Sequence, residues 1–230
     1  MKKSNKILVI VLILCLIILS IALFINSYES EEIGSNALGY VTKISYSYFG
    51  ESDYKIAIVT GMHPRETLSI DVLQDLSKFY ALFNNVEIVN YQITVLDNPT
   101  NFAVGRSNGE SIVHDFVVND ISRENFDLVI IGHDHEEGYG EGFYIATPSM
   151  DPPSLALAEK VMAKLSDFSH YKRNTSSIAK SSSILKVDNP IVDTGTPLFV
   201  YEIPEWLGYA EAYERSYELL DASFRVLANK

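Results

Sequence analysis

Cysteine is almost absent from this 230-residue chain, because its only cysteine is Cys15, inside an apolar run near the N-terminus. The rest of the chain therefore has no disulfide framework and no cysteine nucleophile or metal ligand. Glycine and proline are also scarce, with 12 and 8 residues, which excludes a collagen-like or low-complexity chain. With 47% hydrophobic and 21% charged residues, the chain is expected to fold.

Basic residues are fewer than acidic ones, 18 lysines and arginines against 30 aspartates and glutamates. Lys2, Lys3 and Lys6 precede the apolar run and every acidic residue follows it. The part beyond the run thus has 15 basic and 30 acidic residues and a formal charge of −15. Binding to nucleic acid needs a concentrated basic surface, so nucleic acid is not expected as a partner.

The apolar run, residues 7–25, is long enough to cross a bilayer as a helix, since about 20 residues at about 1.5 Å each match a hydrocarbon core of about 30 Å. A cleaved signal peptide is the alternative, but no small-x-small cleavage pattern follows the run, and Leu14 is bulky for a lipobox before Cys15. The run predicts an uncleaved membrane anchor.

The charges on either side of the run predict its orientation. Lysines before it and glutamates after it favour a cytoplasmic N-terminus. The predicted organisation is a basic cytoplasmic tail (1–6), a transmembrane anchor (7–25), a stalk (26–36) and an extracytoplasmic domain (37–230). About 190 residues suffice for one domain with its own core and are too few for two ordinary ones.

Hydrophobic periodicity predicts strands alternating with helices. The predicted strands are 40–48, 54–60, 91–96, 126–131 and 197–203, the first of them at a sheet edge; the predicted helices are 66–83, 155–165 and 209–227. Residues 170–183 are polar and unpatterned, which indicates a loop. The order predicts a single α/β domain with a central, mostly parallel (mixed) sheet flanked by helices, preceded by one transmembrane helix.

His63 and Glu66 form the first candidate site, in the sequence GMHPRE between a predicted strand and a predicted helix. Ligands of α/β sheets collect outside the carboxyl ends of strands. An imidazole and a carboxylate are suitable zinc ligands. Alternatively, His63 is an ordinary turn residue and Glu66 only complements the helix dipole.

His133 and His135 form the second candidate site, in GHDHEE directly after the apolar strand 126–131. Alternation along a strand puts both histidines on one face and Asp134 on the other. One or both imidazoles are expected to join His63 and Glu66, with His133 preferred by register and His135 left to face substrate. The alternative is a solvated acidic loop.

Glu202 is the third candidate, because it interrupts the apolar strand FVYEIP just before a proline. A carboxylate there costs free energy unless it is paired, protonated or solvated in a cleft. At a cleft edge beside a metal, it would suit a general base of hydrolysis. The alternative is an edge strand that exposes Glu202 to water.

Taken in order, these segments resemble the zinc carboxypeptidase superfamily, including its succinylglutamate desuccinylase and aspartoacylase-like branch. The resemblance implies that His63 and Glu66 are the His-x-x-Glu pair, that His133 after DLVIIG is the third ligand of one Zn²⁺, and that Glu202 is the base. Asn98 and Arg106 resemble the family's Asn-Pro segment and its following arginine, which implies a substrate-binding role for both and polarisation of the scissile carbonyl by Arg106.

The chain departs from the family at the segment whose asparagine and arginine hold a terminal carboxylate, which appears at best as IVHDF at 112–116, without the arginine. Lys172 and Arg173 are the available substitutes. The resemblance implies a membrane-anchored, extracytoplasmic, zinc-dependent hydrolase of an amide or peptide bond, with a peptide, acyl-amino-acid or cell-envelope peptide as substrate.

Two other functions stay open. The first is an inactive surface-anchored binding domain of the same fold. The second is a calcineurin-like metallophosphoesterase, because its Gly-His-x-His motif is similar to residues 132–135, although its other motifs have no counterpart in the chain.

Overall fold

The computed structural model describes residues 3–25, 28–176 and 181–229, with side chains in the first helix described for residues 5–20. The helices are α1 (Lys3–Ile25), α2 (Thr67–Phe83), α3 (Phe102–Ile112), α4 (Val118–Ile121), α5 (Pro152–Met162), α6 (Asn189–Val192) and α7 (Tyr209–Ala228). Two π-helical turns, Val113–Val117 and Ile184–Asp188, lead into α4 and α6. The strands are β1 (Tyr28–Asn36), β2 (Gly39–Tyr46), β3 (Lys55–Thr60), β4 (Glu87–Val95), β5 (Leu128–His135), β6 (Tyr144–Thr147), β7 (Ser169–Lys172) and β8 (Leu198–Pro204).

The described strands form one sheet in the order β1-β2-β4-β3-β5-β8-β6-β7. The central strands β4, β3, β5 and β8 are parallel, whereas β2 is antiparallel to β4 and β6 is antiparallel to β8. The predicted α/β domain with a mixed, mostly parallel central sheet is therefore confirmed.

Helices cover both faces of the sheet, and alternate residues of each strand face opposite helical layers. In β3, Ile56 and Ile58 pack in a core with α2, α5 and α7, while Ala57 and Val59 pack in a second core with α3, α4 and α6. Because both faces are buried, the central strands are continuous apolar runs.

Residues 28–36 differ from the predicted stalk, because they form strand β1 along the edge of the sheet. The predicted edge strand, β2, is consequently an inner strand. The sequence YESEEIGSN carries almost no apolar alternation, and its side chains are mostly exposed. Main-chain hydrogen bonds to β2 hold it, and such bonds leave no hydrophobic pattern in a sequence.

Helix α1 contains the predicted anchor, residues 7–25. Within the described ranges, no helix combines the length and the apolar character needed to cross a membrane. The structure thus gives no support for the predicted transmembrane helix.

The carboxyl ends of β3, β5 and β8 lie side by side and carry the candidate residues. Strand β3 ends three residues before His63, and His133 on β5 is paired in register with Glu202 on β8. Gly61 makes the turn after β3 possible, since its φ is +81° and a Cβ there would lie 2.3 Å from the Ile93 carbonyl oxygen.

Candidate metal centre

His63, Glu66 and His133 converge at this edge of the sheet, with one potential ligand atom from each within 4.8 Å of the others. The Nδ1 atom of His63 lies 2.9 Å from one carboxylate oxygen of Glu66, and the Nδ1 atom of His133 lies 2.6 Å from the other. The imidazole centroids are 4.3 Å apart. Two nitrogens therefore face one carboxylate from two sides.

Asp134 holds the two chain segments of this cluster together. Its carboxylate accepts hydrogen bonds from the backbone N–H groups of Leu68 and Ser69, at 2.9 and 2.8 Å. These N–H groups belong to the first turn of α2, where the helix leaves its donors unpaired. Glu66 directly precedes α2, and His133 directly precedes Asp134. The contact between Asp134 and the start of α2 therefore fixes Glu66 relative to His133.

Helix α3 packs its backbone directly against the turn that carries His63. A Cβ at Gly109 would lie 1.8 Å from the carbonyl oxygen of Met62, so only glycine permits this approach. The approach brings two charged residues of α3 into the site. Arg106 donates from Nη1 to the Glu66 carboxylate at 2.8 Å, and Glu110 is buried behind His63.

Glu110 faces the second nitrogen of His63, with Oε1 3.8 Å from Nε2. The hydroxyl of Ser183 donates to the same oxygen at 2.7 Å. Burial opposes ionisation, but His63 and the hydroxyls of Ser182 and Ser183 lower the pKa of Glu110 to about 2. A carboxylate that faces the other ring nitrogen of a ligating histidine is the usual support of such a ligand.

The residues present fit a zinc ion. Two imidazole nitrogens and a carboxylate are a common three-ligand set of catalytic zinc sites. His63 Nε2 is buried and has no hydrogen-bond partner among the described residues, so the ring is free to donate to Glu110 while Nδ1 serves as a ligand. Sequence analysis missed Glu110, although its position four residues after Arg106 puts the two on one helix face.

The charges of the metal-free site are coupled. Burial favours the neutral form of both Glu66 and His133, and so opposes the shifts that follow. His133 and His63 nevertheless hold the pKa of Glu66 well below its usual range. Glu66 in turn raises the pKa of His133 to about 9. The metal-free cluster therefore holds the Glu66 carboxylate against a His133 imidazole that keeps its proton at neutral pH. A bound divalent cation would replace the proton between the imidazole and Glu66 and would pair with the same carboxylate.

Glu202 lies beside the cluster and faces the same cavity. Its neighbour across the parallel strands is His133, so their side chains share one face of the sheet. Burial is the main cause that raises the pKa of Glu202 above its usual value. Its side chain has no hydrogen bond within the described part of the chain.

The cavity has a volume of about 660 Å³ and is lined by the predicted ligands, Arg106, His135 and Glu202. The structure brings His133, not His135, to Glu66. His135 Nε2 lies 2.9 Å from the Gly142 carbonyl oxygen, and its ring contacts Trp206 edge-on. His135 thus shapes the cavity wall from a position fixed by backbone contacts.

Three predicted substrate-binding residues lie outside the cavity lining. Asn98 has a φ of 52° and accepts from Asn101 N–H in a turn. Lys172 pairs with Glu159, and Arg173 donates to the Pro148 carbonyl. A residue that sequence analysis did not consider, Asp188, does line the cavity. The sequence gives no signal for it, because Asp188 lies in a short π-helical turn without hydrophobic periodicity, directly after the polar residues 170–183 that predict a loop.

No protein-family model and no curated protein sequence matches the chain. Solved structures do match. A metallo-carboxypeptidase from Burkholderia cenocepacia superposes with a TM-score of 0.61 at 12% identity, over 89% of this chain and 65% of that one. A metallo-carboxypeptidase from Pseudomonas aeruginosa, in complex with (2-guanidinoethylmercapto)succinic acid, superposes with a TM-score of 0.55 at 15% identity, over the same shares.

The tripeptide-bound cell shape determinant Csd4 from Helicobacter pylori superposes with a TM-score of 0.56 at 12% identity, over 82% of this chain and 55% of that one. The chain thus spans 65% or less of the length of each of these three structures. The comparisons confirm the predicted resemblance to the zinc carboxypeptidases at the level of the fold. They give no support to the metallophosphoesterase alternative.

Proposed function

We propose that the protein is a zinc-dependent hydrolase of an amide or peptide bond, carboxypeptidase-like or deacylase-like, with one Zn²⁺ held by His63, Glu66 and His133. The observation that carries the proposal is the convergence of these three residues at the floor of a cavity that also contains Glu202. When bound, zinc supplies a Lewis acid that polarises carbonyl groups and acidifies water.

Glu202 would act as the general base and then as the general acid. Its carboxylate takes a proton from the attacking water and delivers it to the nitrogen of the leaving amine. The raised pKa of Glu202, caused mainly by its burial, supports this role, because a more basic carboxylate takes a proton from water more readily.

Arg106 would stabilise the negative charge that develops on the carbonyl oxygen. One of its nitrogens donates to Glu66, and the guanidinium stacks 5.3 Å from the centroid of the Phe102 ring. These contacts aim a pre-positioned cation at the cavity, and a well-placed donor of this kind contributes about 3 to 4 kcal/mol to transition-state stabilisation.

A peptide or an acylated amino acid is the proposed substrate class. The cavity volume of about 660 Å³ accommodates several residues of a peptide. The Helicobacter pylori neighbour was solved with a bound tripeptide, which supports a peptide as the ligand. A cell-envelope peptide would follow from an extracytoplasmic location.

The extracytoplasmic location is itself proposed from the sequence. The described side chains of α1 are exposed although nearly all are apolar, which supports an anchoring role for this segment. Protease added to intact spheroplasts should digest the domain of the full-length chain. Digestion only after lysis would refute the location and leave the catalytic proposal untouched.

Zinc content and peptide hydrolysis test the proposed function together. The full-length chain, purified without added metal, should contain about one equivalent of zinc and hydrolyse peptide or acyl-amino-acid substrates. Glu202→Gln should keep its zinc and lose about 10²- to 10⁴-fold in kcat, since it removes the general base. Glu211→Gln, at an exposed glutamate that does not line the cavity, is the matched control.

Unchanged kcat in Glu202→Gln would remove Glu202 from the role of base. Absence of zinc in the purified chain, and no binding of added zinc, would instead favour the inactive binding domain.

A further inference from the structure

The apolar helix α1 joins the domain at one particular edge of the sheet. Helix α1 ends at Ile25, and strand β1 begins at Tyr28. The three residue steps between them span at most about 11 Å, so Tyr28 lies close to the end of α1. Tyr28 is in register with Tyr46 on β2, which is in register with Ile88 near the start of β4. Tyr28 is therefore at the edge where the parallel strands begin, which we call the amino edge.

Exposed aromatic side chains lie at the same edge. Tyr28 is 41% exposed, and its ring centroid lies 6.0 Å from that of Tyr46. Phe49, in the loop that follows β2, is 59% exposed, and Phe83, at the end of α2, is 76% exposed. A single exposed ring is ordinary on a protein surface. Three of them beside the end of an apolar helix indicate a surface that meets an apolar partner.

The loop with Phe49 and the turn with Phe83 are held together. The loop connects β2 to β3, and the turn connects α2 to β4, so both cross the amino edge. The hydroxyl of Ser52 donates to the Asn85 carbonyl oxygen at 3.0 Å and joins the two. The exposed rings therefore belong to one surface of the fold.

The charges of this edge indicate the kind of partner. Glu51 and Asp53 are exposed in the same loop as Phe49, and Arg123 is exposed before the start of β5. An anionic lipid surface attracts clusters of basic residues, and this edge has charges of both signs instead. Zwitterionic headgroups also have both signs, and aromatic rings are favoured at the level of the headgroups. A zwitterionic bilayer therefore fits this surface.

The metal centre lies at the opposite edge, where the parallel strands end, which we call the carboxyl edge. Leu128, the first residue of β5, is in register with Ile56 near the start of β3. His133 lies five residues further along β5. At about 3.3 Å per residue, this predicted ligand is about 17 Å beyond the amino edge. A bilayer at the amino edge would therefore leave the cavity uncovered.

We propose, resting on the proposed membrane anchor, that the amino edge of the domain lies on the bilayer and that Tyr28, Phe49 and Phe83 contact its zwitterionic headgroup region. The anchor brings this edge to the membrane, and the three rings keep it there. The cavity then faces away from the bilayer. The substrate reaches the metal centre from the space beyond the membrane and not from the lipid phase.

Fluorescence quenching tests the contact. Trp206, the only tryptophan of the chain, contacts His135 at the carboxyl edge. The full-length chain is reconstituted in phosphatidylcholine vesicles that contain headgroup-spin-labelled phosphatidylcholine, which quenches tryptophan at the bilayer surface. In a Trp206→Phe background, Phe49→Trp and Phe83→Trp each place one tryptophan at the amino edge. We expect each to lose at least twice the fraction of emission that Trp206 loses in the wild-type chain.

Tyr139→Trp in the same background is the matched control, because Tyr139 is 78% exposed and lines the cavity. Its emission should be quenched as little as that of Trp206. Far-UV circular dichroism checks that each variant is folded. Phe49→Trp and Phe83→Trp test the surface independently, and each replaces one exposed ring by another.

Equal quenching in Phe49→Trp, Phe83→Trp and Tyr139→Trp would overturn the proposal and leave the anchor standing. Emission from the amino edge that escapes the quencher, and shifts to the red as the chain is diluted in lipid, would place a second copy on this surface and would also overturn the proposal. A chain that does not float with the vesicles would refute the anchor and this proposal together. Peptide hydrolysis, measured on the same samples, tests the proposed function separately.

Discussion

Charged side chains are buried at both edges of the parallel sheet, and the two groups differ in how their charges are paired. At the amino edge, Lys43 lies 2.7 Å from Asp120 and contacts Glu124, and Lys55 contacts Glu124 as well. We refer to these four residues as the amino-edge cluster. At the carboxyl edge, three carboxylates lie with two histidines and one arginine. We refer to these six residues as the carboxyl-edge cluster: Glu66, Glu110, Glu202, His63, His133 and Arg106.

The amino-edge cluster has its opposite charges within the fold. Tyr91 adds a hydrogen bond to Asp120 at 2.6 Å, and Lys55 also reaches Glu87 at 3.0 Å. Among the described residues, His63 Nε2 and one oxygen of Glu110 are buried at the carboxyl edge without a hydrogen-bond partner. The corresponding atom of the amino-edge cluster, Glu124 Oε2, lies 2.5 Å from the Lys55 ammonium group. Buried charges that are matched within the fold stabilise it, whereas buried polar atoms without a partner are available to a ligand.

The strongest test of this difference removes a ligand at the carboxyl edge. His63→Ala should lose its zinc and reduce hydrolysis to background, because two protein ligands no longer complete the site. Zinc content by mass spectrometry and peptide turnover measure the result. His114→Ala, an exposed histidine that contacts only a backbone carbonyl in the described structure, should retain both. A full equivalent of zinc in His63→Ala would exclude it as a ligand.

The next effect is expected at the amino edge. Lys43→Met keeps the length of the side chain and removes its charge, which leaves Asp120 and Glu124 without their shared partner. The free energy of unfolding should fall by about 3 kcal/mol, measured by urea denaturation, while zinc content stays the same. The control Lys164→Met, at an exposed position, should change the free energy of unfolding little. Loss of zinc in Lys43→Met would mean that the two edges are not independent.

A smaller effect is expected from Glu110→Gln, which keeps a hydrogen-bond acceptor for His63 Nε2 but removes the charge. Zinc affinity should fall by about 10- to 100-fold, as for other residues that support a ligating histidine. Competition with a chelator of known affinity measures it. Glu110→Ala should bind zinc more weakly still. Equal zinc affinity of the wild-type chain, Glu110→Gln and Glu110→Ala would show that Glu110 does not support the metal centre.

In zinc-free protein, the pH dependence of unfolding should differ in sign between Glu124 at the amino edge and His133 at the carboxyl edge. Burial opposes the shift, but Lys43 and Lys55 lower the pKa of Glu124 below its ordinary value of 4.5. The ionised Glu124 therefore stabilises the fold above pH 4.5, and this contribution is lost on acidification. Glu66 raises the pKa of His133 from 6.5 to about 9, so that effect is present below 6.5 and lost as pH rises to 9.

Zinc-free protein should therefore have its greatest unfolding free energy between about pH 4.5 and 6.5, measured by urea denaturation in EDTA. A free energy of unfolding that stays constant from pH 6.5 to 9 would contradict the coupling of His133 with Glu66.

Part of the site could be predicted because parallel strands bring their carboxyl ends to one edge. His63 and Glu66 follow β3, and His133 and Glu202 lie near the ends of β5 and β8. The choice of His133 over His135 agrees with the geometry of the ligand cluster, because the structure turns His135 towards the Gly142 carbonyl. Asn98 remains a prediction that the cavity lining does not support.

Other residues could not be predicted because their roles depend on packing. Glu110 reaches His63 only because Gly109 lets α3 approach Met62, and this contact joins residues far apart in the chain. Strand β1 is held by main-chain hydrogen bonds that its polar sequence does not reveal.

The sequence by itself determined the α/β class and the types of residue at the strand ends, because strand and helix periodicities and the chemistry of histidine and carboxylate side chains are local properties. Only the tertiary structure decided which strands are neighbours, that Arg106 and Glu110 face the predicted ligands, and that Asp188 is buried in the cavity wall. Those facts depend on contacts between distant segments, and burial of a charge has no local signature in a sequence.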